Sequence, residues 1–270
     1  MYRAGKSSSH IGRVFNVSDV AVLKTLKKKG ISSRTPSLAR RILPLNETVF
    51  DNLNKRALYW IGFLMADGNI TNTKEQKSIA IYLAEKDRGH IVKFLEFIGG
   101  YGRKITHVKK THAHGVKIRS KHMVDKLMSV GVKPRKSLSA KALKGTQKSR
   151  DFWRGVIDGD GSIGIYKNSP SISLCGSLNL TRQFRKFSLD VLENNHEIRV
   201  MKIKGINLWR VNLFGYATYN IIKTLYAGNN GNVLTRKDII AKKILNEFKN
   251  KHWKNYTGKR KGVKTWVNTT

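Results

Sequence analysis

Trp60-Ile-Gly-Phe-Leu-Met-Ala-Asp-Gly68 and Trp153-Arg-Gly-Val-Ile-Asp-Gly-Asp-Gly161 are two versions of one segment. Each begins with tryptophan, has glycine in third place and closes on Asp-Gly, and the closing aspartates Asp67 and Asp160 stand 93 residues apart. The first copy belongs to a helix predicted over about Asn54 to Ala66. Its residues Ala57, Leu58, Trp60, Ile61, Phe63, Leu64 and Met65 are apolar nearly all round, so it must be buried on most sides. Each copy also sets small residues four apart, Gly62 with Ala66 and Gly155 with Gly159. That spacing clears one helix face. The two motif helices are expected to pack there as a seam, with Gly68 and Gly161 stopping them.

The similarity extends outward from the motifs. Ser78-Ile-Ala-Ile81 answers Ser171-Ile-Ser-Leu174 at the same offset. Pro134-Arg-Lys-Ser137 answers Thr235-Arg-Lys-Asp238 after extra residues around Asn229-Asn-Gly-Asn232. After the first motif, strands are predicted at 69–71, 78–83, 101–108 and 114–119, with helices at 87–98 and 122–130. After the second, strands are predicted at 162–167, 172–175, 197–203 and 208–213, with helices at 180–193 and 216–226. The fold class is therefore α+β, a duplicated αββαββα unit with a pseudo-twofold axis.

Ahead of the repeats, Ser8 to Phe15 and Ser18 to Lys29 read as two short helices, with Ser18 as an N-cap and Gly30 as a stop. Ile11, Phe15, Val22 and Leu26 share helical spacing. The pair resembles a helix-turn-helix, which would turn Asp19, Val20, Leu23 and Lys24 towards DNA. Expected boundaries are 1–45 for this all-α region and its linker, 46–147 and 148–248 for the repeats, and 249–270 for a basic tail.

Lysine and arginine number 53 against 17 acidic residues, a formal charge of +36 that calls for a polyanionic partner. There is no apolar run of membrane-spanning length, so a soluble intracellular protein is expected. The lone Cys175 excludes an internal disulfide and multi-cysteine zinc sites, and reads as a small core residue. Between Tyr101 and Arg150 fifteen basic residues face one acidic residue, Asp125, which marks this stretch as a phosphate-binding surface. Arg103, Lys104, Lys117 and Arg119 are its candidate contacts. Arg199, Lys202, Lys204 and Arg210 are their counterparts in the second half. His107, His112 and His114 read as a DNA-facing hairpin tip, since no fourth metal ligand stands near them. The stretch Lys249 to Thr270, with Trp253, Tyr256 and Trp266 among lysines, reads equally as a DNA arm or a tail.

Two helix C-termini meeting at a seam bring two carboxylates into a field that is already negative. Such a pair raises its own pKa or recruits a cation, and hard oxygens suit magnesium, or manganese. A divalent ion held by paired carboxylates beside a phosphodiester is the setting for hydrolysis.

With both motifs in view, the chain resembles the LAGLIDADG homing endonucleases in their single-chain, two-motif form, over about 46–248. The resemblance implies a saddle whose sheets follow the major groove of double-stranded DNA, and a monomer that cuts both strands. It implies metal binding and catalysis by Asp67 and Asp160, with the carbonyls of Ala66 and Gly159 as further ligands. It also implies a lysine near each scissile phosphate, at Lys136 and Lys237. The sixth motif position departs from symmetry, Met65 against Asp158; this reads as a packing asymmetry with Asp158 a supporting group at most, and as the place where the two cuts could differ in rate. Two other readings stay open: a maturase that binds intron RNA, and a non-catalytic DNA-binding regulator.

Overall fold

The computed structural model describes residues 1–3, 6–33, 43–143, 145–193, 196–229 and 231–250. The tail aromatics Trp253, Tyr256 and Trp266 and most of the linker between the first two units lie outside these residues. The chain divides after Pro44 into two compact units. No helix among the described residues is long and apolar enough to cross a membrane.

The first unit holds α1 (Ser8–Phe15) and α2 (Asp19–Lys28). Ser7 and Ser18 cap the two helices by accepting from the amides of His10 and Ala21. Between them Asn16 takes the left-handed conformation, and the Val17 amide returns to the Gly12 carbonyl. A methyl on Gly12 would stand 2.5 Å from the Val17 carbonyl, so the tight turn needs glycine there. Ile11, Val22 and Leu26 form the small core, with Tyr2, Leu23 and Ile31 packed on it. Leu23 therefore supports the core instead of reaching outward as expected, because the apolar stripe of α2 is wider than Val22 and Leu26 alone. Phe15, expected in that core, is 63% exposed.

The second unit carries the duplicated fold. Its first half runs α3 (Lys55–Ala66), β1 (Gly68–Asn72), β2 (Lys77–Ala84), α4 (Arg88–Phe97), β3 (Thr106–Val108), β4 (Ala113–Arg119) and α5 (Lys121–Ser129). Its second half runs α6 (Arg150–Asp160), β5 (Gly161–Tyr166), β6 (Ser169–Gly176), α7 (Leu178–Val191), β7 (Val200–Lys202), β8 (Trp209–Phe214) and α8 (Gly215–Tyr226). The antiparallel sheets have matching orders, β1-β2-β4-β3 and β5-β6-β8-β7. One face of each sheet is apolar and packs on helices: Ile70, Ile79 and Ile118 form one row across the first sheet, Ile163, Ile172 and Leu213 the matching row across the second.

Three boundaries depart from the sequence expectation. The strand expected over 101–108 shrinks to β3, since Gly102 takes φ +76° in a turn. That leaves Arg103 and Lys104 ahead of the sheet. The strand expected over 197–203 shrinks to β7. A helix with no expected counterpart, α9 (Thr235–Glu247), follows the second half, where the first has only a 3-10 turn over Lys136–Leu138.

Candidate functional site

The seam is built by reciprocity. A methyl on Gly62 would meet the Phe152 carbonyl at 2.0 Å, and one on Gly155 would meet the Tyr59 carbonyl at 2.1 Å. Tyr59 and Phe152 are themselves equivalent at the repeat offset, so residue i of α3 meets residue j of α6 and the reverse also holds. Further along, Gly159 faces Ala66 and Asp67. Contacts advance in the same direction on both helices, which are therefore parallel. Behind the seam Trp60 packs on Phe94 and Trp153 on Phe184, with ring centroids 5.1 and 5.4 Å apart.

This packing delivers Asp67, at the end of α3, and Asp160, the last residue of α6, to one end of the seam. Both keep exposed surface while their other sides are crowded by protein. Burial, then the Asp67 charge, pushes the Asp160 carboxyl up to about 6. Burial also raises the Asp67 carboxyl, with Lys237 and Lys136 pulling the other way. The charge that adds to burial differs between the two, Asp67 for Asp160 and Asp87 for Asp67.

Lys136 and Lys237 are buried, 8% and 2% exposed, and make matching bonds. The Lys136 ammonium donates to the Gly68 carbonyl, and Lys237 Nζ donates to the equivalent Gly161 carbonyl at 2.6 Å. Lys237 also donates to the carbonyls of Ile157 at 2.5 Å and Asp158 at 2.7 Å, and lies 3.5 Å from that of Gly159. Lys237 thus caps the carbonyl end of α6, whereas Lys136 reaches only Gly68, the first residue beyond the end of α3. Burial lowers both pKa values, that of Lys237 to about 8, with the carboxylates opposing.

Asp158 is more than a packing difference. It is fully buried and accepts from Tyr59 Oη, Tyr226 Oη and the Leu234 amide, each at 2.7 Å. Met65, its equivalent, sits in apolar surroundings beside Gly131.

An open groove of about 850 Å³ begins at Ala66 and Asp67, follows Asn69, Thr71 and Tyr82 along the outer face of the first sheet, and is flanked by Arg135 and Lys136. Strand register places Lys117 and Arg119 on that outer face opposite Ala80 and Ser78, and both are exposed. In the second half Arg210 shares the outer face with Met201 and Cys175, its Nε 3.2 Å from Cys175 Sγ. Cys175 is therefore a half-buried face residue, not the core residue expected. Lys202 alternates with Met201 and falls on the opposite face, beside Trp209, at an exposed edge. Arg199 precedes β7 and pairs with Glu197, while Lys204 lies in the following turn. Asp19 and Lys24 are exposed on α2.

His107 and His114 face each other across β3 and β4, and His114 Nδ1 lies 2.7 Å from Glu85. No group of three or more His, Cys, Asp or Glu among the described residues is arranged to hold a metal. Asp67 and Asp160 together supply two carboxylates, which leaves the rest of any coordination shell to carbonyls, water and substrate.

No protein-family model matches the chain, and no curated protein does. Among solved structures it is similar to the homing endonuclease I-WcaI bound to its DNA recognition sequence, with TM-score 0.48 and 11% identity over 80% of this chain and 96% of that one. It is similar to the I-LtrWI LAGLIDADG homing endonuclease bound to target DNA, with TM-score 0.46 and 10% identity over 73% and 91%. It is similar also to the LAGLIDADG homing endonuclease I-GzeII in complex with its DNA target, with TM-score 0.44 and 12% identity over 74% and 94%.

Proposed function

We propose that the chain is a divalent-metal-dependent endonuclease of the LAGLIDADG homing type, cutting both strands of a long, pseudo-symmetric double-stranded DNA target as a monomer. The observation that carries this reading is the pair of carboxylates at the seam, each beside a buried lysine, on a protein of charge +36. Repulsion between Asp67 and Asp160 is the mark of a site that gains from a cation. Asp67 and Asp160 would hold Mg²⁺ or Mn²⁺ with help from the Ala66 and Gly159 carbonyls, and the ion would activate water and neutralise charge on the phosphate.

The chain's own groups account for the remaining roles. Lys237 would fix the last turn of α6 and Lys136 the Gly68 carbonyl beyond α3, and both would bring positive charge near the phosphates, where charge grows during hydrolysis. Lys117, Arg119 and Arg210 on the outer sheet faces, together with Arg103, Lys104, Arg199 and Lys204 around them, would bind phosphates and base edges. Lys202, on the other face, is left out of that contact set. Asp19 and Lys24 of the N-terminal helix pair would extend the target.

The test is cleavage of a plasmid library of randomised sites with magnesium or with EDTA. The expected outcome is linear product from wild type with magnesium alone, and none from Asp67→Asn or Asp160→Asn. Tight binding of a selected site without cleavage under magnesium would remove the nuclease reading.

A further inference from the structure

The buried hydrogen-bond chain that ends on Asp158 starts in the other half of the molecule. Tyr59 lies on α3 and His90 on α4, both first-half helices, and both side chains are buried. Tyr59 has one hydroxyl proton, and the 2.7 Å contact with the Asp158 carboxylate takes it. The 2.9 Å contact between Tyr59 Oη and His90 Nε2 must then be donated by the histidine. Burial holds the His90 pKa down to about 3, so the ring is neutral and its single proton sits on Nε2. The chain runs His90 to Tyr59 to Asp158, across the seam.

Its endpoint is two residues from Asp160, within the last turn of α6. That turn is gripped by Tyr59 from α3, Tyr226 from α8, the Leu234 amide ahead of α9, and Lys237 from α9 itself, which donates to the Ile157 and Asp158 carbonyls. Among the described residues the matching turn of α3 has no equivalent set of bonds, and Lys136 reaches only the Gly68 carbonyl beyond it. At the repeat offset Tyr59 becomes Phe152, His90 becomes Gln183, and Asp158 is replaced by Met65. Gln183 turns elsewhere, bonding the backbone of Ala142. All three members of the chain are missing together from the mirrored position.

We propose that Tyr59 and His90 are positioning residues of the first half for the carboxylate contributed by the second, so that one strand cut depends on the opposite half and the other does not. This rests on the nuclease reading above. Groups that orient an active-site ligand from behind change activity by about 10- to 100-fold when removed. The predicted effect is confined to one strand.

The experiment uses a site selected by the wild-type protein, with magnesium present, on two substrates: a supercoiled plasmid, which reports nicked circles, and a linear duplex end-labelled on one strand or the other, which reports the strand that is cut. Tyr59→Phe removes only a hydroxyl and copies the residue that the second half already accommodates at that place. It should slow one strand by about 10- to 100-fold relative to the other, so that nicked circles accumulate, with DNA affinity unchanged. His90→Gln, copying Gln183, should shift the same strand, as should Tyr226→Phe, which acts on Asp158 from within the second half. A general loss of structure would slow both strands alike. Equal slowing of both strands, or no slowing of either, by Tyr59→Phe and His90→Gln overturns the inference while leaving the nuclease intact. A wild-type protein that cuts neither strand overturns both.

Discussion

The two motif helices meet as equals at the glycine contacts of the seam and differ at positions beside those contacts. At three equivalent positions α3 carries Leu58, Ile61 and Met65 where α6 carries Asp151, Arg154 and Asp158. The α6 set is buried and fully engaged. Arg154 donates to Asp151, to the Leu225 carbonyl at 2.8 Å and to the Asn232 carbonyl at 2.9 Å, with Tyr59 stacked 5.4 Å below it. These bonds fasten the segment that leads into α9. α9's leading turn also reaches the first half, through Arg236 on Asp87 and through Lys93 on the Val233 carbonyl. The first half has no such helix to attach, and apolar packing of Met65 near Gly131 suffices. At these three positions buried polar groups thus stand where an irregular segment must be held in one register, and apolar ones where ordinary packing closes the core.

The sharpest way to break this contrast is to give the second half the first half's residue. Asp158→Met takes the buried acceptor from two tyrosine hydroxyls and a backbone amide, and should cost about 3–5 kcal/mol. Met65→Leu preserves volume and polarity on the other side, and should cost less than about 1.5 kcal/mol. Denaturant melts of both variants give the comparison directly. Equal losses would mean that Asp158 contributes no more than shape.

The seam, in contrast, should answer symmetrically. Gly62→Ala and Gly155→Ala each drive a methyl into backbone of the opposite helix, which cannot swing aside, and should cost about 1–3 kcal/mol or more apiece. Gly89→Ala, at an exposed position of α4, meets nothing within 4 Å and should gain about 0.5–1 kcal/mol. Thermal melts that put Gly62→Ala and Gly155→Ala far apart would show that the two helices are not interchangeable at the contact.

Much of this was legible before any coordinates. The doubled motif, the glycines four apart and the repeated Arg-Lys segment predict the seam, the αββαββα order and the pairing of Lys136 with Lys237. The lysines' burial was not legible, because lysine is ordinarily a surface residue and its desolvation depends on carbonyls 68 and 76 positions away. Tyr59 and Asp158 stand 99 residues apart, so their bond leaves no local trace. Helix α9 was missed because its sequence was matched to the short first-half segment, and because Ile239, which is 62% exposed, spoils its apolar stripe. The face of Lys202 was not legible either, because the register that sets it beside Trp209 in a short edge strand leaves no local trace, and a shift of one residue exchanges faces.

The smallest effect expected concerns the two aspartates, which look equivalent in sequence but are not in their surroundings. Asp160 in the folded chain titrates near 6, against an ordinary value of 3.8. Between these values the folded state holds more protons than the unfolded one, so this group's contribution to stability falls as pH rises from about 4 to about 6, and stays lost above. Asp160→Asn should therefore flatten that part of the stability profile and make the metal-free protein slightly more stable at pH 7, while abolishing cleavage. Adding magnesium should stabilise wild type more than Asp160→Asn, because the ion offsets a repulsion that the variant no longer has. Melting temperatures at pH 4.5 and 7, with magnesium and with EDTA, check both signs. An Asp160→Asn protein that is less stable than wild type at pH 7 in EDTA would show that the carboxylates are held by attraction to Lys136 and Lys237 more strongly than they repel each other.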